Sequence, residues 1–220
     1  MRTQTKGGIG VVLIALIAIG AVLFLNRGEA APAAVEKTSD GEDSLLVRED
    51  SQVVGEPARS GDVTMVEFLD FECEACGAVY PAVEQLRAEY DGRVTFVARY
   101  FPLPGHVNAE PAARAVESAA RQGEFEAMYQ MMYETQAEWG ESQEPKDDLF
   151  RSYAEDLGLD MEQYDADFAS PEVAARVQRD VEDGMELGVQ GTPTFYLDGE
   201  LLQPRTYEDF TQALDEALES

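Results

Sequence analysis

The chain has 220 residues, 44 of them acidic against 16 basic, for a formal net charge of −28. That balance leaves no room for a basic patch, so nucleic acid and anionic membrane surfaces are excluded as partners and the acidity reads as a solvated surface. Two cysteines and one histidine are also too few for a structural zinc site, which takes four such ligands.

Gly7 to Asn26 is an uncharged, mostly aliphatic run of twenty residues. Helical, it spans roughly 30 Å, the thickness of a bilayer core. Arg2 and Lys6 precede it, while Glu29, Glu36, Asp40, Glu42 and Asp43 follow. The positive-inside bias therefore predicts a single-pass anchor in the cell membrane, with a cytoplasmic N-terminus and everything else extracytoplasmic. The alternative is a cleaved signal peptide, for which Ala30-Ala31-Pro32-Ala33-Ala34 offers small residues and which would have an unusually long apolar region. Either reading exports the rest. The chain thus divides into residues 1–27 (anchor or signal peptide), 28–44 (a flexible linker of small and acidic residues) and 45–220 (one folded domain).

Within the domain, Leu45-Leu46-Val47 reads as a short first strand and 63–69 as a second. The second gives way at Cys73-Glu74-Ala75-Cys76 to a helix with Val79, Val83, Leu86 and Tyr90 on one face. A cysteine at a helix N-terminus meets unpaired N–H groups and the positive end of the dipole, which favour the reactive thiolate. A second cysteine three positions on can close a small ring with it. The pattern predicts a redox-active dithiol. Pro81 removes one helical hydrogen bond and predicts a kink.

After the Asp91-Gly92 turn, 93–100 reads as a strand parallel to the previous one, completing a βαβ unit. A helical stretch follows, about 108–187. One helix starts near Asn108 and Pro111, a second carries Phe125, Met128 and Met132, and a third carries Leu149, Tyr153 and Leu157, closed by Gly158. Tyr164 and Phe168 share a face, and Ser170-Pro171-Glu172 opens a helix with Val173, Val177, Val181 and Met185. The methionines and Trp139 read as core packing. Thr194–Leu197, Asp198-Gly199 and Glu200–Leu202 predict a hairpin. A closing helix has Tyr207, Phe210, Leu214 and Leu218 on one face, with Thr206 and Asp209 spaced as a capping pair. The order predicts an α/β fold with an inserted helical subdomain.

The segment Glu67-Phe68-Leu69-Asp70-Phe71-Glu72-Cys73-Glu74-Ala75-Cys76, with Pro81 beyond it, resembles the active-site strand and helix of the thioredoxin fold. The helical insert followed by Gly191-Thr192-Pro193-Thr194-Phe195 is similar to DsbA-like thiol:disulfide oxidoreductases. The resemblance covers roughly 45–220. It implies that Cys73 attacks and Cys76 resolves the mixed disulfide, that Pro193 is a cis-proline packed on the pair, and that Glu67 is a buried carboxyl passing a proton to or from Cys76. It further implies that Thr192, Glu74 and Ala75 form the substrate-binding rim. Neither metal nor other cofactor is implied. The implied substrates are reduced or misoxidised exported proteins, and the implied reoxidation partner is an integral-membrane, quinone-linked protein.

Departures from the family pattern matter. Strongly oxidising relatives often carry a histidine between the cysteines; here Glu74 takes the first intervening position, and with Glu72 and Asp70 it should raise the Cys73 pKa and weaken the oxidant. No lysine is placed to partner Glu67; Arg99 is the candidate. His106, the single histidine, lies in a Pro/Gly loop and reads as a rim residue rather than a base. The expected activity is introduction of disulfides into extracytoplasmic proteins. The alternatives are a reductase or isomerase of the same fold, or a non-catalytic tethered binding module. A structural role for so short a loop is disfavoured, because short loops constrain the unfolded chain least.

Overall fold

The computed structural model describes residues 44–59 and 63–220. The proposed anchor, and all of the linker but Ser44, lie outside them. Among the described residues, no helix is long and apolar enough to cross a membrane.

Five strands form one sheet in the order β1-β3-β2-β4-β5: β1 Gln52–Val53, β2 Thr64–Leu69, β3 Thr95–Tyr100, β4 Thr194–Leu197 and β5 Glu200–Leu202. The β2–β3 pair is parallel, with Glu67 opposite Ala98, and α1 (Glu74–Glu89) makes the crossover. The other neighbours are antiparallel. Six helices separate β3 from β4: α2 Ala109–Ala120, α3 Phe125–Glu134, α4 Gln136–Trp139, α5 Asp147–Asp156, α6 Met161–Phe168 and α7 Pro171–Glu186. The last helix, α8, spans Tyr207–Leu218.

Local chemistry accounts for many boundaries. Asp198 and Gly199 both take positive φ, 49° and 90°, which turns β4 tightly into β5. The Thr206–Asp209 pair forms the expected capping box on α8. Ser170 accepts from the Val173 N–H at 3.1 Å, with Pro171 opening α7. Helix α1 runs unbroken through Pro81, which leaves the Gly77 carbonyl without its usual helical donor.

The strand expected at 45–47 does not form. The carbonyls of Leu45 and Leu46 instead accept from Arg99 Nη1 at 2.8 and 2.7 Å, and β1 pairs with β3 a few residues later. Arg99 is fully buried and also meets Asp180 at 2.7 Å and Asp183 at 2.5 Å.

Strand alternation sorts the core into two layers. Met65, Leu69, Phe96, Ala98, Tyr100 and Phe195 pack on the side of α1, α8 and much of the helical insert. Val66, Phe68, Val97, Phe101 and Tyr196 pack on the other, where α7 comes so close that a Cβ on Gly184 would lie 2.8 Å from the Phe101 ring. The buried alanines of α2 let four helices approach it. Met128, Met132 and Trp139 are core residues as expected, whereas Met185 is 65% exposed, because it falls on the solvent side of the last turn of α7.

Candidate active site

Strand β2 ends at Leu69, and Asp70-Phe71-Glu72 turns the chain into α1 with Cys73 as its N-cap residue. The turn is locally closed. Cys73 N–H donates to the Asp70 carbonyl at 3.1 Å, and Asp70 Oδ1 accepts from the Glu72 N–H at 2.8 Å. Both acids then reach the loop after β3. Asp70 Oδ2 accepts from Leu103 N–H at 3.0 Å and meets His106 Nδ1 at 2.6 Å, while Glu72 accepts from Asn108 N–H at 2.6 Å.

Cys73 is 8% exposed and Cys76 1%, and both are free thiols. The Thr192–Pro193 peptide, just before β4, is cis as the resemblance implies. As a thiol, Cys73 Sγ donates to the Thr192 carbonyl at 3.4 Å. As a thiolate it has better company. The Cys76 thiol donates to it, the Thr192 hydroxyl and the N–H groups of Cys76 and Ala75 add to this, and burial opposes them less strongly than the Cys76 bond; Cys73 falls to about 5. Thr192 Oγ1 is buried with no other partner, so its donor is available to the sulfur. Cys76 is driven far above an ordinary thiol, first by burial, then by committing its proton to Cys73 and by the charge of Glu67. The dithiol therefore carries one reactive and one masked sulfur.

Glu67 is buried on the α1 side of the sheet. Burial pushes its carboxyl up to about 8, and the like charges of Cys73 and Glu84 push the same way. Arg99 does not partner it. Successive residues of a strand face opposite sides, so Arg99 lies across the sheet from Ala98 and Glu67, with its charge spent on Asp180 and Asp183. A cavity of about 10 Å³, close to the volume of one water, lies against Glu67 between Val83, Phe96, Tyr129 and Arg87.

The acidic surround does not raise Cys73 as its sequence position suggests. Asp70 and Glu72 are turned away and satisfied by N–H donors, and Glu74 is exposed on the first turn of α1. Ala75 is exposed beside it. A groove of about 510 Å³ runs from Pro193, with Val79 and Ala82 of α1 on one wall and Tyr207 and Phe210 of α8 on another; neither cysteine lines it. Sequence reasoning missed Gln136, whose amide reaches the carbonyls of Phe71 and Cys73 from α4; nothing in its spacing marks it.

Strand, cis-proline and paired cysteines at a helix N-terminus make up a thioredoxin-like fold of the DsbA type. Residues 48–216 match the family described as Thioredoxin, and the chain belongs to that family. A thioredoxin-like oxidoreductase from Silicibacter pomeroyi is 31% identical, with a TM-score of 0.67 over 82% of this chain and 99% of that one. The thiol-disulfide exchange protein alpha-DsbA2 of Wolbachia pipientis shares the fold, with a TM-score of 0.66 at 18% identity, covering 78% of this chain and 89% of that one. Among curated relatives, a Na(+)/H(+) antiporter NhaA of Salinispora tropica is 39% identical over 142 residues, which are 64% of this chain. The chain spans about a fifth of the length of the curated relatives it matches.

Proposed function

We propose that the protein introduces disulfides into extracytoplasmic proteins, using Cys73 as the exchanging sulfur and Cys76 as the resolving one. The observation that carries this is the asymmetry of the pair: Cys73 caps α1 against Thr192, where donors to its sulfur lower its pKa to about 5, while Cys76 is buried within the first turn, where burial raises its own. A low thiolate pKa stabilises the reduced form, so the disulfide form is the stronger oxidant.

In the oxidised protein a substrate thiolate attacks Cys73 Sγ. The Cys73–Cys76 bond breaks, and Cys76 leaves with the electron pair and takes a proton from Glu67, which is protonated below about pH 8. A second substrate thiolate then attacks its own sulfur in the mixed disulfide and expels the Cys73 thiolate. Two electrons pass from substrate to dithiol, and Cys76 keeps the proton. In this reading the substrate segment lies against the Thr192 carbonyl, which contacts the sulfur, and over the exposed first turn of α1 at Glu74 and Ala75. Reoxidation needs a disulfide-carrying membrane partner. A domain held at the bilayer by residues 7–26 would meet one, and the matched fifth of the antiporters, proteins named for membrane transport, fits the same setting.

Equilibration with glutathione tests the direction. A reduction potential above about −200 mV supports the oxidase; one near −270 mV makes the protein a reductase. For the anchor, retention in the membrane fraction through a carbonate wash is expected, and recovery mainly as a soluble, shortened species starting near residue 32 would refute it.

A further inference from the structure

We propose that Gln136 is a positioning residue of the active site, a strut by which the helical insert holds the Cys73 turn in its thiolate-binding shape. The proposal rests on the dithiol reading above and adds to it a residue outside the strand, the cysteine motif and the cis-proline loop.

The side-chain Nε2 of Gln136 donates to two carbonyls of the active-site turn, Phe71 at 2.7 Å and Cys73 at 2.9 Å. Both partners can only accept, so it must be the amide nitrogen that faces them. Gln136 uses both of its N–H donors on this turn. The Cys73 carbonyl also accepts from the Gly77 N–H at 3.0 Å, so both its lone pairs are engaged, one along the helix and one from the insert.

The fit extends to Gly77. A Cβ there would lie 1.9 Å from Gln136 Oε1 and 2.7 Å from its Cδ, so the glycine leaves the space that the amide fills. Gly77 is helical and its φ demands no glycine, which leaves this close approach as the reason for the missing side chain. The base of the strut is itself fixed. Gln136 opens α4, the Gly140 N–H donates to its carbonyl at 2.7 Å, and Trp139 anchors that short helix with its ring 4.8 Å from Phe150.

The consequence follows from where Cys73 sits. Its φ and ψ, −68° and 119°, set the direction from which the first turn of α1 leaves. That turn carries the Ala75 and Cys76 N–H groups that favour the thiolate. Pinning the carbonyls on either side of Glu72 keeps those donors aimed at Sγ. Without the amide these two carbonyls lose their hydrogen bonds from the insert, and the turn keeps the bonds within its own loop and to the loop after β3, the Cys73–Thr192 contact and the packing of the Phe71 ring on Tyr129 and Tyr133.

The test compares wild type, Gln136→Leu, Gly77→Ala and the double variant in the intact chain. Three quantities are read: the Cys73 pKa from thiolate absorbance, the reduction potential against glutathione, and the melting temperature. In Gln136→Leu the Cys73 pKa should rise by about 0.5–1 unit, a threefold to tenfold loss of thiolate over thiol, as expected for one hydrogen bond. The potential should become more reducing. Gly77→Ala must displace the amide and should shift both in the same direction, with the double variant little worse than either single one. Should Gln136→Leu not fold, Gly77→Ala alone decides. A low wild-type pKa left unmoved by the variants overturns the role of Gln136, whatever the melting temperature does. A wild-type Cys73 that titrates as an ordinary thiol overturns the dithiol reading and this proposal with it.

Discussion

His106 Nδ1 lies 2.6 Å from Oδ2 of Asp70, a carboxylate with no solvent exposure, and this contact ties the loop after β3 to the turn that presents Cys73. Burial works against the charged imidazole, but the Asp70 hydrogen bond and charge, with Glu72 and Cys73 behind, outweigh it and raise its pKa above 6.5. The pair therefore stabilises the fold fully below pH 6.5, and that contribution is lost as pH rises through the higher folded value. His106→Gln should lower the melting temperature at pH 5.5 and by distinctly less at pH 9. An equal loss at both values would show that only neutral packing is involved.

A second expectation separates the cysteines. The Cys76 thiol is the largest influence favouring the Cys73 thiolate. Cys76→Ala removes that donor and should raise the Cys73 pKa by more than about one unit, since a bond to a charged acceptor is worth about 1.5–3 kcal/mol. Cys76→Ser keeps a hydroxyl donor and should raise it less. Cys76→Ser should also trap mixed disulfides with exported proteins, because the intermediate cannot be resolved within the chain, and Cys73→Ser should trap none. Comparable trapping by both variants would reverse or abolish the assigned roles.

Much of this was legible from residue pattern, and the failures share one physical cause. Turn and cap chemistry at Asp198-Gly199, Thr206–Asp209 and Ser170-Pro171 is local, so the sequence spelled out the hairpin and two helix starts. The oddly polar position of Glu67 in an apolar strand marked it as buried, and it is. What failed depended on partners distant in sequence. Leu45 and Leu46 have strand-like side chains, but Arg99 claims their carbonyls across 54 and 53 residues. Arg99 is the sequence's candidate partner for Glu67, and strand parity turns it to the opposite face. Gln136 carries no local signal, because its role is written in the carbonyls of Phe71 and Cys73, more than sixty residues earlier.

The charge of Glu74 illustrates the same limit and carries a third expectation. Adjacency to Cys73 in sequence sets the Glu74 charge against the thiolate, and Glu74→His would remove it. In the structure Glu74 is exposed, and the influences setting Cys73 come instead from Cys76, burial, Thr192 and backbone N–H groups. Exposed charges are screened, so the substitution should move the potential by no more than about 20 mV. A shift several times larger, measured against glutathione, would mean that Glu74 turns onto the sulfur in solution.

Glu67 supports the most pointed expectation, because its effect on stability and its effect on exchange run in opposite directions. Its folded value of about 8 stands well above the ordinary 4.5, owing first to burial and then to the charges of Cys73 and Glu84. Between those two pH values the folded protein keeps a proton that the unfolded chain has released. Wild-type stability should therefore fall as pH rises from about 4.5 to 8 and level off beyond. Glutamine keeps the shape and cannot ionise, so Glu67→Gln should match wild type near pH 4. By pH 8.5 it should be more stable by roughly 3–5 kcal/mol, the linkage expected for a shift of this size. Exchange should suffer in the same variant, since Cys76 is buried and no longer has a carboxyl beside it to give or take its proton. Denaturant unfolding of both proteins at pH 4 and 8.5, with the rate of mixed-disulfide resolution at neutral pH, checks both halves. A stability difference that does not change with pH would place the Glu67 carboxyl in water, and unimpaired resolution would remove it from the proton path.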